Sequence, residues 1–292
     1  PGFRDDAPTA SLYYGQDVRE SLRLLPDASV HTVCTSPPYF GLRDYGTGDA
    51  QIGLEPTPDE FVKSLVEVFR EVKRVLRPDG TLWINLGDSY AGGGGYAPDA
   101  PSNRNRKSNA TFHGGSVEGC NARIKKKPGH VPSGFKPKDL MGIPWRVAFA
   151  LQADGWYLRQ DIIWRKPSAM PEPVTDRCTK SHEYVFLLAH PEGKGRYHYD
   201  ADAIRSPTRN KRSVWSVNPK PYRGAHFACW PPDLVRPMIL AGCPVGGVVL
   251  DPFSGSATTG MVALREGRHY VGIDLNPDYL DLAQARIEGR KA

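Results

Sequence analysis

The segment 36–39, Ser-Pro-Pro-Tyr, places groups that can bind an amino group beside an aromatic ring. The hydroxyl or carbonyl of Ser36 and the carbonyl of Pro37 can accept hydrogen bonds from an N–H, and Tyr39 can stack on a planar ring. The preceding residues 30–34 have the apolar and β-branched composition of a buried strand. Because two successive prolines fix φ and remove two backbone donors, the strand stops abruptly. We therefore expect a stiff loop at the carboxyl end of a strand, where ligands bind in open α/β sheets.

A second segment, residues 248–260, has the pattern of a buried strand, a turn of small residues and the start of a helix. In this arrangement the backbone of a βα unit can approach a nucleotide-like ligand closely. Residues 270–274 then form a strand that ends in Asp274, about 20 residues beyond the glycine turn. A carboxylate at this distance is suited to the two hydroxyls of a ribose. The positions of Ala257 and Gly260 do not fit the dinucleotide-binding pattern G-x-G-x-x-G.

Each segment alone is weak evidence, since an isolated Ser-Pro-Pro-Tyr is more often a rigid loop with a surface aromatic. The two segments in combination resemble the amino-methyltransferases of DNA, which use S-adenosylmethionine. That family has a catalytic motif (D/N/S)-P-P-(Y/F/W) and a cofactor motif D-P-F-x-G-S-G-T-T, which residues 251–259 match except at Ala257. The resemblance extends from Leu12 to Ile287. The catalytic motif comes first in the chain, as in the β group of the family.

The resemblance implies an α/β fold of the Rossmann-like methyltransferase type. Its sheet would have seven strands and be mostly parallel, with one antiparallel strand near the edge and helices on both faces. The alternation of strand and helix patterns along the chain agrees with a mostly parallel sheet. The chain of 292 residues can bury one sizeable core, so we expect a single methyltransferase domain over residues 11–290.

The resemblance also indicates which residues bind the cofactor. Asp17 lies in a Gly-x-Asp pattern that matches the position contacting the adenine amino group, although its spacing fits a helix N-cap equally well. Asp274 is expected at the ribose, and residues 226–231 resemble the segment that closes over the methionine part. Ala257 replaces a glycine, and its methyl group fits there if φ is negative. The expected cofactor-binding residues are Asp17, Thr35, His226, Phe227, Trp230, Pro231, Asp251, Phe253, Ser254, Gly255, Ser256, Thr258, Asp274 and Asn276.

For the reaction, the resemblance implies direct in-line methyl transfer to the exocyclic amine of a base that is flipped out of the duplex. Trp164 and Lys166 match a later motif beside the flipped base, although a tryptophan in a strand is more often part of the core. No general base with a matched pKa is evident, and none is needed if the proton leaves after transfer. The expected catalytic residues are Ser36, Pro37, Pro38 and Tyr39.

The identity of the base depends on one position. Ser36 resembles the cytosine-N4 branch of the family, whereas the adenine-N6 branch mostly has Asp or Asn there and stays the main alternative. A carbon-5 cytosine methylase needs a cysteine nucleophile that normally follows a proline, and the sequence has no Pro-Cys pair. Methylation of RNA or of protein glutamine is a more distant alternative. A non-catalytic DNA-binding module is conceivable because Ala257 departs from the cofactor motif.

Residues 90–138 form a glycine-rich and then basic segment without periodicity. Between Ser102 and Leu140 there are nine Lys or Arg residues and two acidic ones. A solvated loop is the usual explanation of such a run, but loops over a catalytic face also neutralise phosphates. We favour a loop that DNA orders, and residues 190–225 are a short candidate target-recognition segment. The expected DNA contacts in the loop are Arg106, Lys107, Lys125, Lys126 and Lys127.

The composition narrows the class of protein further. A net charge of +6 favours a polyanionic partner without proving one. The five cysteines are odd in number and contain no C-x-x-C pair, so the sequence indicates neither a disulfide framework nor a metal site. There is no long apolar run and no signal sequence. We therefore expect a cytoplasmic protein. The resemblance implies a nucleoid-associated protein of bacterial, archaeal or phage origin that binds double-stranded DNA. The resemblance further implies a homodimer and a cognate restriction endonuclease.

Overall fold

The sheet has eight strands in a computed structural model that describes residues 7–42, 51–92, 131–169, 171–219 and 230–289. Their order across the sheet is β1-β8-β7-β2-β3-β5-β4-β6. Among the described strands only β5 runs antiparallel to its neighbours, β3 and β4. The strands are β1 (Ala10–Tyr14), β2 (Val30–Thr35), β3 (Leu76–Leu86), β4 (Tyr157–Arg165), β5 (His182–Ala189), β6 (Val214–Ser216), β7 (Val248–Asp251) and β8 (His269–Asp274).

The expectation of a mostly parallel sheet with one antiparallel strand is confirmed, but the expected number of seven strands was wrong. The additional strand is β6, which has three residues and pairs in parallel with β4 at the edge of the sheet. Trp215 anchors it, because its indole is buried and donates to the carbonyl of Arg212 at 2.7 Å. β6 lies within the segment that the sequence marks as a candidate for target recognition.

Six α-helices of the described ranges cover the two faces of the sheet, and each face has its own hydrophobic core. Helices α1, α2 and α3 pack on one face with Val33 and Ile84, and helices α4, α5 and α6 pack on the other with Cys34 and Trp83. Neighbouring strand residues point to opposite faces, which explains this division. None of the helices described is long and apolar enough to cross a membrane. The helices are α1 (Val18–Arg23), α2 (Pro58–Val75), α3 (Ile143–Ala153), α4 (Pro232–Gly242), α5 (Thr258–Arg265) and α6 (Leu280–Ile287).

Helix α2 begins at Pro58, directly after its N-cap residue Thr57. Thr57 accepts from the backbone N–H of Glu60 and the Glu60 carboxylate accepts from that of Thr57, which forms a capping box. The helix ends at Val75, and β3 starts at the next residue, although residues 77–80, Arg-Pro-Asp-Gly, have the composition of a turn. Leu76 explains this difference, because its side chain is buried and it pairs with Val30 of β2.

The position of β2 between β3 and β7 determines where the two motifs meet. β2 pairs in parallel with β7, which pairs in parallel with β8. The strand that follows β2 in the chain, β3, lies on one side of the β2–β7 pair. The strand that follows β7 in the chain, β8, lies on the other side. The carboxyl ends of strands on either side of such a switch point leave a crevice in which α/β proteins bind ligands.

Candidate active site

A cavity of about 260 Å³ opens at the carboxyl ends of β2, β7 and β8. Both motifs line it, since Tyr39 of the first and Phe253 of the second face the same space. The two segments, more than 200 residues apart in the chain, thus meet at one crevice. The expected site residues that line this cavity are Ser36, Pro37, Pro38, Tyr39, Trp164, Lys166, Trp230, Phe253, Ser254, Gly255, Ser256, Thr258, Asp274 and Asn276.

Four expected residues do not line the cavity, and others fall outside the part of the chain that the structure describes. Asp17, Thr35 and Asp251 face protein donors or acceptors instead, and Pro231 is the N-cap residue of α4. Their expected contacts with the cofactor stay predictions. The expected residues that lie outside the described ranges are Arg106, Lys107, Lys125, Lys126, Lys127, His226 and Phe227.

Asp251 is buried at the carboxyl end of β7, where it connects three elements. Thr35 at the end of β2 donates to its Oδ1 at 2.7 Å, and Thr259 in α5 donates to its Oδ2 at 2.7 Å. The backbone N–H of Phe253 donates to Oδ1 at 3.1 Å. Burial nevertheless raises the pKa of Asp251 to about 6. Because protein donors occupy both oxygens, this carboxylate holds the two motifs and the start of α5 in register.

Asp274 ends β8 and, unlike Asp251, lines the cavity. Its carboxylate accepts from the backbone N–H of Gly255 at 2.7 Å and from that of Asn276 at 2.9 Å. Burial raises its pKa to about 6, against the effect of these two hydrogen bonds. A partly buried acceptor joined to the glycine turn is a suitable partner for a ribose diol.

The turn before α5 contains a strained alanine. Ala257 has φ 55° and ψ 42°, the left-handed conformation that costs a non-glycine residue about 1 kcal/mol or more. The condition of a negative φ, under which the methyl group fits without strain, is therefore not met. The backbone N–H of Ala257 donates to the carbonyl of Ser254 at 2.8 Å, and the residue is buried in the core beneath α5. The replacement of glycine thus does not prevent the motif from forming its turn.

Two tyrosines that the sequence analysis did not identify support the same turn. Tyr14 of β1 donates to the carbonyl of Gly255 at 2.8 Å, and its hydroxyl also lies 2.8 Å from that of Ser254. Ser254 Oγ is 2.7 Å from the hydroxyl of Tyr270 in β8. Burial raises the pKa of both tyrosines, which stay neutral. They hold Ser254 and Gly255 against the sheet.

The catalytic end of the cavity contains two further residues that the sequence analysis missed, Asn85 of β3 and Glu183 of β5. Tyr39 donates to Oε2 of Glu183 at 2.8 Å, and Ser36 donates to Oδ1 of Asn85 at 3.2 Å. Lys166 Nζ forms an ion pair with Oε1 of Glu183 and lies 4.2 Å from the centre of the Trp164 ring. The polar groups of this end are therefore joined in one network around the Ser-Pro-Pro-Tyr loop.

Asp17 has the structural role that its spacing allows. It is the N-cap of α1, and its Oδ1 accepts from the backbone N–H of Arg19 at 2.7 Å. The Arg19 guanidinium donates to both oxygens of the same carboxylate. The neighbouring Val18 lines the cavity, so this part of the chain contributes an apolar wall to it.

The ends of the basic segment 90–138 meet beside the catalytic end. The backbone N–H of Ala91 donates to the carbonyl of Asp139 at 2.8 Å, and that of Lys138 donates to the carbonyl of Ala91 at 2.8 Å. Met141 donates in the same way to Ser89. Residues 89–91 follow the carboxyl end of β3, so the segment leaves and rejoins the described structure at the edge of the sheet that carries the cavity.

Comparison with known proteins identifies the family. A family model described as DNA methylase, of the N6 and N4 type, matches residues 30–285. The type II methyltransferase M.Cfr9I of Citrobacter freundii is 51% identical over 96% of this chain and 88% of its own length. The type II methyltransferase M.SmaI of Serratia marcescens is 47% identical over 94% of this chain and 90% of its own length.

Solved structures have the same fold. The PvuII DNA methyltransferase, which is cytosine-N4-specific, superimposes with a TM-score of 0.69 at 21% identity and covers 96% of this chain and 86% of its own. TTHA0409 of Thermus thermophilus, a putative DNA modification methylase complexed with S-adenosyl-L-methionine, has a TM-score of 0.61 at 26% identity and 95% coverage of both chains. With both motifs on one cavity, the chain belongs to the S-adenosylmethionine-dependent N6/N4 family of DNA methyltransferases.

Proposed function

We propose that this protein transfers a methyl group from S-adenosylmethionine to the N4 amino group of cytosine in a specific sequence of duplex DNA. The observation that carries the proposal is the shared cavity, which Ser36 and Tyr39 enter from one side and Phe253 and Asp274 from the other. The family accounts for the methyl transfer, and Ser36 favours cytosine over adenine.

The cofactor half of the cavity has an acceptor and apolar side chains that suit S-adenosylmethionine. Asp274 offers an acidic acceptor to the ribose hydroxyls, and the side chains of Val18, Phe253 and Leu282 offer apolar walls to a planar base. When bound, the cofactor supplies an electrophilic methyl group on a sulfonium. Two contacts hold the glycine turn in position. Tyr14 of β1 donates to the carbonyl of Gly255 in the turn, and Asp251, just before the turn, accepts from Thr35 of β2.

The catalytic half positions the target amine. The oxygens of Ser36 and Pro37 can accept its two N–H groups, which draws the nitrogen out of conjugation with the base ring. The Tyr39 ring can stack on a base that has left the duplex, and its hydroxyl is fixed by Glu183 at 2.8 Å. Alignment of this nitrogen with the methyl carbon supplies much of the rate enhancement, because the displacement is in line.

The basic segment is proposed to contact the phosphate backbone. Its ends are fixed beside the catalytic end of the cavity, and it contains all nine lysines and arginines that lie between Ser102 and Leu140. Neutralisation of phosphates fixes a protein on DNA without reading its sequence. Residues 190–225, including β6, are proposed to contribute to recognition of the target. Its relatives are named type II methyltransferases, and a cognate restriction endonuclease is proposed on that ground.

Mass spectrometry of the methylated product tests the base assignment. DNA free of methylated bases is incubated with the purified protein and S-adenosylmethionine and digested to nucleosides. We expect N4-methyldeoxycytidine and no N6-methyldeoxyadenosine; the reverse result would show that adenine is the substrate. Binding of S-adenosylmethionine by calorimetry tests the enzymatic role itself, since a DNA-binding module with a degenerate pocket would give no binding heat while still binding DNA.

A further inference from the structure

Glu183 is a charged residue at the start of the buried strand β5, and three donors converge on its carboxylate. These are the Tyr39 hydroxyl at 2.8 Å and Asn85 Nδ2 at 3.2 Å, both on Oε2, and Lys166 Nζ on Oε1. The side chain is 15% exposed. A carboxylate at this depth is stable only when it is paired, which Lys166 and the two hydrogen bonds achieve.

We infer that Glu183 is a positioning residue for methyl transfer, which acts through Asn85 on the hydroxyl of Ser36. The inference rests on the proposed function, because it assigns Ser36 a contact with the target amine. It concerns the direction of one hydrogen bond, and it applies to cytosine and adenine alike.

The orientation of the Asn85 amide is the first step. Both hydrogens of Nδ2 have acceptors, since Glu183 Oε2 lies at 3.2 Å and the carbonyl of Tyr184 at 3.1 Å. Neither partner can donate, because an ionised carboxylate and a carbonyl only accept. Rotation of the amide by 180° would place Oδ1 against two acceptors in a buried position. The amide oxygen therefore points towards the Ser-Pro-Pro-Tyr loop.

The second step follows from that orientation. Ser36 Oγ lies 3.2 Å from Asn85 Oδ1, which has no hydrogen to give, so Ser36 must donate. Its lone pairs then remain available to accept an N–H of the target amine. If Asn85 presented its NH₂ group instead, that group would donate to Ser36 Oγ and compete with the target amine for the same lone pairs. Glu183 thus determines that Ser36 presents its lone pairs, rather than its hydrogen, to the target amine.

Two other contacts prevent the network from adjusting. The Tyr39 ring packs against Gly87, where a Cβ would lie 2.6 Å from Cε2 of the ring. The Lys166 ammonium lies between Glu183 and the Trp164 ring, so it stays close to the carboxylate. The ring of Tyr39 and the carboxylate of Glu183 therefore have little freedom to move away from Asn85.

A purely structural role for Glu183 is the alternative. Glu183 is the cross-strand neighbour of Trp164, and its ion pair with Lys166 connects β5 to the end of β4. Loss of that connection would lower the stability of the protein or its affinity for cofactor. It would not change specifically the rate of the chemical step, nor depend on the presence of the Ser36 hydroxyl.

A double-mutant cycle separates these possibilities. Glu183→Gln, Ser36→Ala and the combined variant are compared in single-turnover methyl transfer, with cofactor and DNA saturating and total methylated nucleoside as the readout. We expect Glu183→Gln to slow transfer by about 10- to 100-fold, as loss of a charged hydrogen bond that orients a reacting group would. In the Ser36→Ala background the same substitution should cost less than about threefold, since residues that act as a unit are not additive. Cofactor affinity should change less than about threefold in Glu183→Gln.

A swap of the two side chains tests the orientation. Asn85→Asp in the Glu183→Gln background presents an acceptor oxygen to Ser36 whichever way the side chain turns, and the amide introduced by Glu183→Gln can donate to its other oxygen. We expect the swapped protein to be at least about fivefold faster than Glu183→Gln alone, because Glu183 is no longer needed to orient an amide. Glu71→Gln is the matched control, because it removes the carboxylate that pairs with Arg74 at 3.1 Å, away from the cavity. Its rate should equal that of the unchanged protein.

The outcomes distinguish failure of this inference from failure of the proposed function. Equal effects of Glu183→Gln in the presence and absence of the Ser36 hydroxyl would overturn the inference, as would a swapped protein no faster than Glu183→Gln alone. Thermal midpoints identify a variant that has lost its fold. If Glu183→Gln has, the swapped protein is compared with the unchanged one: a rate within about tenfold supports the inference, and a lower rate overturns it. N6-methyldeoxyadenosine as the product would contradict the base assignment and leave the cycle interpretable. No methyl transfer by the unchanged protein would contradict both proposals.

Discussion

The pKa of Asp274 leads to a prediction in which cofactor affinity and protein stability change in opposite directions with pH. Asp274 lines the cavity, and burial raises its pKa to about 6. If its carboxylate accepts the ribose hydroxyls, the ionised form is the one that binds S-adenosylmethionine strongly. Affinity should therefore be constant above about pH 7 and fall by up to about tenfold for each pH unit below 6.

The effect on the free protein has the opposite sign. A carboxyl whose pKa is raised in the folded state binds its proton more tightly there than in the unfolded chain. The free energy of unfolding therefore decreases as the pH rises from about 4 to about 6. A pKa near 6 instead of 3.8 corresponds to at most about 3 kcal/mol over this range. Asp251, whose pKa is also about 6, contributes in the same direction.

Calorimetric titration of S-adenosylmethionine between pH 5 and pH 8 tests the assignment, with Asp274→Asn compared to Asp251→Asn. Asp274→Asn should bind about 10- to 100-fold more weakly at pH 8, because charged hydrogen bonds are lost. Its affinity should no longer depend on pH. Asp251→Asn is the matched control, since that carboxylate has a similar pKa but does not line the cavity, and it should keep the decrease below pH 6. Unchanged affinity or an unchanged pH profile in Asp274→Asn would refute the ribose contact.

Three further predictions concern other parts of the molecule. Ser36→Ala should lower the rate of methyl transfer by about 10-fold or more and leave cofactor affinity within about threefold, and equal loss of both would contradict its contact with the amine. Thr35→Val removes the 2.7 Å hydrogen bond to Asp251 and should lower the free energy of unfolding by about 2 kcal/mol at pH 7.5. Denaturation at pH 5, where Asp251 is protonated, should show a smaller loss. Replacement of the lysines at 125–127 by alanine should reduce the slope of log DNA affinity against log salt concentration, by an amount that corresponds to at most about three phosphate contacts. An unaltered slope would show that this run does not touch DNA.

The position of both motifs on one cavity could be predicted from the sequence, because each follows a strand and carboxyl ends of parallel strands lie at one edge. The alternation of helices and strands predicted most of the architecture for a similar reason, since it depends on local periodicity. The start of β3 at Leu76 could not be predicted in this way. Pairing of Leu76 with Val30 prevailed over the turn propensity of residues 77–80.

The network around Ser36 could not be predicted, because its members come from strands that are far apart in the chain. Asn85 is the second-last residue of β3, and Glu183 is the second residue of β5, about 100 residues later. The antiparallel pairing of these strands brings the start of β5 to the carboxyl end of β3. A charged residue at the head of an otherwise apolar strand was the available signal. This signal indicates a site residue only once β5 is known to run antiparallel to β3.

Asp251 should act on the reaction through the protein contacts of its carboxylate. It comes just before the turn that lines the cofactor half, and Thr35 comes just before the loop that lines the catalytic half. One hydrogen bond of 2.7 Å joins them across neighbouring strands. In-line transfer requires the amine and the methyl carbon to be aligned within a fraction of an ångström. Because the two halves of the cavity meet through this carboxylate, its substitution should slow transfer even where cofactor affinity is retained.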